Sequence, residues 1–112
     1  MSHDEASNEE LQSIAEIDPL IHAPTRLKIM AYLSIVESAD FTFLMRRTGL
    51  TRGNLSVNLR KLEDAGYVRI TKEFIDRIPR TLIRLTDEGR KAIQAYRDNM
   101  QIVLNDLLGE QE

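Results

Sequence analysis

No cysteine occurs among the 112 residues, which excludes disulfide scaffolds, thiolate metal sites and thiol redox switches together. Histidine appears only as His3 and His22, too little for a structural zinc site or a histidine-based catalytic centre. No apolar run approaches the roughly 18 residues that a membrane-spanning helix needs. The opening stretch, MSHDEASNEELQ, is acidic and polar, the reverse of a secretory signal's basic start and apolar middle. A cytoplasmic location is therefore expected. Nucleophile–base pairings, phosphate-cradling glycine loops and HExxH are missing too, so neither an enzyme nor a cofactor is expected. What remains is 42% hydrophobic and 29% charged residues in a chain of one domain's length, the composition of an ordinary globular protein.

The net charge of −3 conceals a division. Residues 1–25 carry six carboxylates and no Lys or Arg, and residues 92–112 set Arg97 against four carboxylates. Between them, residues 26–91 hold 14 Lys and Arg against 8 Asp and Glu. A basic middle between acidic ends suits a chain that meets a polyanion with one surface. The same charges would also serve as solvated helix faces, so their position in the fold has to decide.

Hydrophobic spacing outlines that fold. Ser7 to Ile17 reads as a short helix closed by Pro19, within an acidic segment spanning residues 1–19. A main domain follows over 20–108, with a tail at 109–112. Its first helix begins near Pro24, with Leu27, Met30, Ala31 and Ile35 at helical spacing. Asp40–Phe41–Thr42 is either a single-turn link or a very short strand, with Thr42 placed to cap a helix that runs to Thr48. Gly49 supplies a left-handed stop, and Thr51 caps the next helix, RGNLSVNLRKLEDAG, whose apolar stripe is Leu55, Leu59 and Leu62. Helix, tight glycine turn, helix is the outline of a helix-turn-helix.

After Gly66 the period changes from 3.6 to 2. The run Tyr67–Phe74 and a second from Thr81 to Leu85 make a hairpin, or wing, joined by the basic connection Asp76–Arg77–Ile78–Pro79–Arg80. Thr86, Asp87 and Glu88 open the last helix. Along it Ile93, Tyr96, Met100, Val103 and Leu107 recur at spacings of 3 and 4, and Leu104 widens the stripe; this is the seam of a helix that pairs with a partner, or, since it spans little more than two heptads, of one that packs on its own domain. Leu11 and Ile14 are expected to dock on the same dimer. The fold class is mainly α with a small β-hairpin: a winged helix-turn-helix with an N-terminal helix and a long C-terminal dimerisation helix.

The blocks Leu50–Thr51 with Asn54–Leu55–Ser56, Lys61–Leu62–Glu63 through Ala65–Gly66–Tyr67–Val68, Pro79–Arg80–Thr81, and Leu85–Thr86 with Glu88–Gly89–Arg90 occur in order and at the proper separations. Over residues 20–108 they resemble the small one-domain winged-helix transcriptional regulators related to the MarR and ArsR groups. The resemblance implies a homodimer on operator DNA. Lack of cysteine separates this chain from thiolate metal sensors, and its shortness separates it from full-length MarR proteins.

On the second helix of the motif, Gly53, Val57, Arg60 and Asp64 centre the face opposite the leucines, flanked by Asn54, Lys61 and Ser56. Small and amide side chains there suit a major groove better than solvent: Asn54 has the shape to pair with adenine, and Val57 to meet a thymine methyl. Gly53 costs helix stability and so suggests a close approach of backbone to a partner. Thr51 both caps the helix and frames amide N–H groups fit for a phosphate, and Arg52 joins the reading face. Arg46, Arg47, Arg60 and Lys61 are placed as phosphate clamps, and Arg77 and Arg80 at the wing suit a narrow minor groove. Arg69 and Arg84, inside strands, are expected to pack or pair. The expected partners are a pseudo-palindromic DNA duplex and a second copy of the chain. Two rivals remain: a winged helix that binds protein, and a sensor whose DNA binding is switched by a ligand.

Overall fold

Residues 14–109 are described by the computed structural model, in the order α1 (Pro24–Leu33), β1 (Ala39–Asp40), α2 (Phe41–Thr48), α3 (Arg52–Asp64), β2 (Val68–Ile75), β3 (Ile78–Leu85) and α4 (Asp87–Leu108). Most of the expected Ser7–Ile17 helix lies outside these residues, although Ile14 and Ala15 are helical. The strands form one antiparallel sheet in the order β1-β3-β2. No described helix is long and apolar enough to cross a membrane.

Three helices bury one stripe each against the sheet. Met30 and Leu33 of α1, Leu44 of α2, Leu55 and Leu62 of α3 and Ile83 of β3 are wholly inaccessible to solvent. Each such side chain contributes about 1.5–3 kcal/mol through burial. In α1 the buried set is Ile29, Met30 and Leu33, whereas Ala31 and Ile35 are exposed. This helix is apolar around most of its circumference, so its periodicity does not single out the inward face. Ile35 lies past the end of the helix, beyond the cap at Ser34.

The ambiguous stretch divides: Asp40 ends a two-residue strand with Ala39, and Phe41 and Thr42 open α2. Ala39 and Asp40 pair with Ile83 and Leu82, and the extended backbone of Asp40 leads straight into the helix. The cap is therefore Asp40 and not Thr42: the carboxylate accepts from the amides of Thr42 at 2.8 Å and Phe43 at 3.2 Å. The hairpin also departs from expectation. Only Asp76 and Arg77 form the turn, and Ile78, Pro79 and Arg80 belong to β3, which pairs with β2 from Ile75↔Ile78 to Val68↔Leu85. Both turn residues have positive φ, 54° and 69°, as a two-residue hairpin turn requires. Pro79 escapes the usual bar on proline in strands, because this end of β3 extends past the two-residue β1 and has a neighbour on one side only.

A tight junction fixes α4 to the wing. Gly66, at φ 83°, ends the turn after α3. The Thr86 amide donates to the Tyr67 carbonyl at 3.0 Å, the Thr86 hydroxyl donates to the Gly66 carbonyl at 2.6 Å, and that hydroxyl oxygen accepts from the Gly89 amide at 2.9 Å. The segment before α1 is pinned from two sides. Tyr67 donates its phenolic proton to Asp18 at 2.5 Å, and His22 Nδ1 lies 2.9 Å from the Tyr96 hydroxyl. The bond to Asp18, then burial and the nearby Asp18 and Glu88 charges, push the Tyr67 phenol up to about 12.

Candidate nucleic-acid interface

The turn between α2 and α3 is built to be short. Gly49, at φ 71°, is the left-handed residue that ends α2, and its amide bonds the Met45 carbonyl at 2.9 Å. Lys28 reaches from α1 to the Thr48 carbonyl at 3.1 Å, placing a cation on one of the last carbonyls of α2. Two residues later Thr51 caps α3 by accepting from the Asn54 amide at 3.1 Å. The second helix is thus held across the first with one face turned out.

That face is open. Thr51, Arg52, Gly53, Asn54, Ser56, Val57, Arg60 and Lys61 are all exposed, while Leu55, Asn58, Leu59 and Leu62 point inward. Nothing lies within 4 Å of the place where a Gly53 Cβ would be, so the chain's own packing does not demand the glycine. Val57 is 56% exposed. A groove of about 680 Å³ separates α3 from the wing. Arg52, Ser56 and Arg60 line one wall, and Lys72, Arg80 and Thr81 the other. Four cationic side chains line it against the carboxylates of Asp40 and Glu63. The Arg52 guanidinium lies 5.4 Å from the centre of the Phe41 ring, which holds it over the groove's end. Arg47 is placed the same way over Phe43, at 5.2 Å, and Arg46 is exposed beside it on the last turn of α2.

The wing separates the two arginines that the sequence grouped. Arg77 stands at the turn. Arg80 sits opposite Glu73 within the sheet and pairs with Asp40 at 3.3 Å, away from the tip, because β3 begins two residues before it. Phe74 is 74% exposed and is not a core residue. Arg69 and Arg84 face each other across β2 and β3 on the outer side of the sheet, both exposed. Neither has a hydrogen bond or ion pair among the described residues, contrary to expectation; their neighbours Val68 and Leu85 take the inward positions.

Asp40 therefore does two jobs, capping α2 and anchoring the wing. Burial pushes its carboxyl up, but the Phe43 amide, the Arg80 guanidinium and the Thr42 amide outweigh it and hold the pKa below 3.8. A depressed native pKa stabilises the fold above the unfolded value, and that contribution disappears as pH falls through the lower native value. Urea unfolding of the wild type should thus lose more midpoint between pH 5 and pH 2 than that of Asp40→Asn, whose cap does not titrate. Parallel losses would rule this out.

The expected dimer seam divides into two halves. Ile93, Tyr96 and Met100 pack into the protein's own core, because the first half of α4 lies against α1 and β3. Tyr96 is only 8% exposed and is engaged by His22. Val103 is half-buried, whereas Leu104, Leu107 and Leu108 are exposed, as is Ile14; Leu11 lies outside the described residues. The free apolar face is the distal part of α4.

Two features were not legible in the sequence. Asn58 is buried at a core position, where it accepts from Arg26 at 2.9 Å. Lys72 adds a cation to the wing side of the groove. The signal for Asn58 was its place in the series 55, 58, 59, 62, the full helical stripe, and polarity hid it.

Two helices joined by a glycine turn, the second with an open face, and a hairpin beside it define a winged helix-turn-helix. The family model described as a winged helix DNA-binding domain matches residues 25–104, and the chain belongs to that family, one of DNA-binding regulators and not of enzymes. An uncharacterized protein of Methanocaldococcus jannaschii is 36% identical over 77 residues, covering 69% of this chain and 84% of the relative. The structure of a transcriptional regulator homologue from Pyrococcus horikoshii matches with 33% identity and a TM-score of 0.80, over 88% of this chain and 97% of that one. At lower identity the fold is shared by MarR-family transcriptional regulators. It is also that of the Mycobacterium tuberculosis regulator MosR, solved with DNA: 22% identity, TM-score 0.65, over 98% of this chain and 79% of that chain.

Proposed function

We propose that this protein is a cytoplasmic homodimeric regulator that reads a pseudo-palindromic duplex with α3 in the major groove and the wing toward the minor groove. The observation that carries this reading is the open face from Arg52 to Lys61, bordered by a groove with more cations than carboxylates. A partner protein would be better served by an apolar patch, and Val57 stands alone on this face among polar and charged neighbours. Arg52, Asn54, Ser56 and Val57 reach base edges, with Gly53 letting the helix backbone come close. Thr51, Arg46, Arg47, Arg60 and Lys61 hold phosphates and set the register. Arg80, tied to Asp40, steadies the base of the wing while Arg77 enters the groove. Two-fold symmetry then places half-sites about 10 base pairs, or a multiple, apart.

Arg77 offers a test in which stability and binding move in opposite directions. A left-handed non-glycine residue costs about 1–2 kcal/mol, so Arg77→Gly should raise the melting temperature. The same change should weaken duplex binding about tenfold through the lost minor-groove contact. Unchanged affinity in a gel shift would remove the wing from the interface.

The second copy is held by the distal half of α4, where Leu107 is 77% and Leu108 is 70% exposed. The double change Leu104→Asp and Leu107→Asp should give monomers in sedimentation with little loss of fold, since neither leucine is in the core. Affinity for a two-half-site duplex should fall about 100-fold or more as the linked second contact is lost. A dimer that survives both changes would place the interface elsewhere.

A further inference from the structure

A chain of hydrogen bonds from α1 to α3 fixes which way Asn54 faces. Arg26 of α1 is half-buried, with its Nε bonded to the Leu20 carbonyl at 2.6 Å and Nη1 donating to Asn58 Oδ1 at 2.9 Å. The Asn58 Nδ2 donates to the Asn54 carbonyl at 2.8 Å and to Asn54 Oδ1 at 2.6 Å. A guanidinium only donates and a peptide carbonyl only accepts, so these two neighbours together fix the Asn58 amide in one orientation. Its Nδ2 can only donate, so the Asn54 atom that meets it has to be the oxygen. Asn54 Nδ2 is left on the exposed side of the helix, without a partner among the described residues.

We propose that Arg26 and Asn58 are positioning residues that set the polarity of Asn54, which offers N–H donors to DNA and selects a guanine. The inference rests on the DNA-reading function proposed above and names the base that one of its contacts takes. An unconstrained asparagine pairs with adenine by accepting from N6 and donating to N7. Here Oδ1 is already drawn back toward Asn58, and the amide nitrogen faces out as a lysine nitrogen would. The edge that best answers a group offering only donors is guanine, whose N7 and O6 are adjacent acceptors, whereas adenine and thymine each offer a single acceptor there. The hydrogen bonds also offset the cost of burying Asn58, because all of its polar atoms are satisfied and no buried side-chain polar atom is left unpaired among the described residues.

The test is selection of duplexes from a random pool by the full-length wild type, Asn54→Ala and Asn58→Ala, with thermal melts of each protein. One position per half-site should be a G·C pair in the wild-type selection and lose its preference with Asn54→Ala. Placing 7-deazaguanine there, which lacks the N7 acceptor, should cost the wild type about fivefold to tenfold in affinity and Asn54→Ala almost nothing. A folded Asn58→Ala protein should still bind, but should take A·T at that position nearly as well as G·C, as the freed amide rotates. An A·T pair at the Asn54-dependent position, indifference to 7-deazaguanine, or an unchanged preference in folded Asn58→Ala overturns the inference while leaving DNA binding intact. If Asn58→Ala does not fold, the first two measurements decide. A wild type that enriches no duplex overturns the DNA-reading function itself.

Discussion

Gly89→Ala is expected to cost this protein more stability than any other single methyl group added to a glycine. A Cβ there would fall 2.0 Å from the Tyr67 carbonyl oxygen and 2.9 Å from its carbon, both backbone atoms immediately before β2. Helix α4 would have to move away by more than an ångström. That would break the bond from the Thr86 amide to the Tyr67 carbonyl and the one from the Thr86 hydroxyl to the Gly66 carbonyl. Overpacking usually costs about 1–3 kcal/mol and occasionally more; with rigid backbone on the far side, about 3 kcal/mol or more is expected. For a domain of this size that is roughly 10–20 °C in melting temperature. Gly53→Ala is the control. With open space at its Cβ and a place inside α3, it should stabilise the fold by up to about 1 kcal/mol. A small effect at Gly89 would show that the junction yields, and with it the rigid link between wing and α4.

The second large effect is on DNA affinity. Four phosphate-holding cations per protomer, Arg46, Arg47, Arg60 and Lys61, make eight in the proposed dimer. Counterion release then gives a slope of about −7 for log affinity against log salt, roughly a 10⁴-fold loss between 50 and 200 mM. Arg60→Ala removes two of the eight contacts, so it should weaken binding across all sequences and reduce the slope by about 2. Fluorescence anisotropy titrations at four or five salt concentrations measure both. A slope near zero would mean that these side chains are surface charge and nothing more. The Arg52 guanidinium, stacked over Phe41, is a base reader in this scheme, and its loss should relax sequence preference with less change in slope.

The α3 helix was legible because three signals coincide there: the Thr51 cap, the leucine stripe and Gly66. Its open face followed from the same spacing. The boundaries around the wing were less legible. Asp76 and Arg77 lack the glycine that marks a two-residue turn, so the hairpin looked longer and Arg80 looked nearer its tip. Nothing in the sequence announces Asp40 as a cap, because the strand it ends is two residues long and has no periodicity. In α4 the 3-and-4 spacing is real over its whole length, but spacing says only that a face is apolar. It does not say whether that face meets the protein's own α1, as at Tyr96, or open solvent, as at Leu107.

Local chemistry along the chain determined the elements and their order, since caps, glycine stops and hydrophobic periods act over a few residues. It also determined the division of charge that separates a basic domain from acidic ends. Long-range packing alone decided that Arg26 turns the Asn58 amide, that Asp40 holds Arg80, and that Gly89 touches Tyr67. Each of these joins residues more than 20 positions apart, and no local pattern records which side chains a fold will bring within hydrogen-bonding distance.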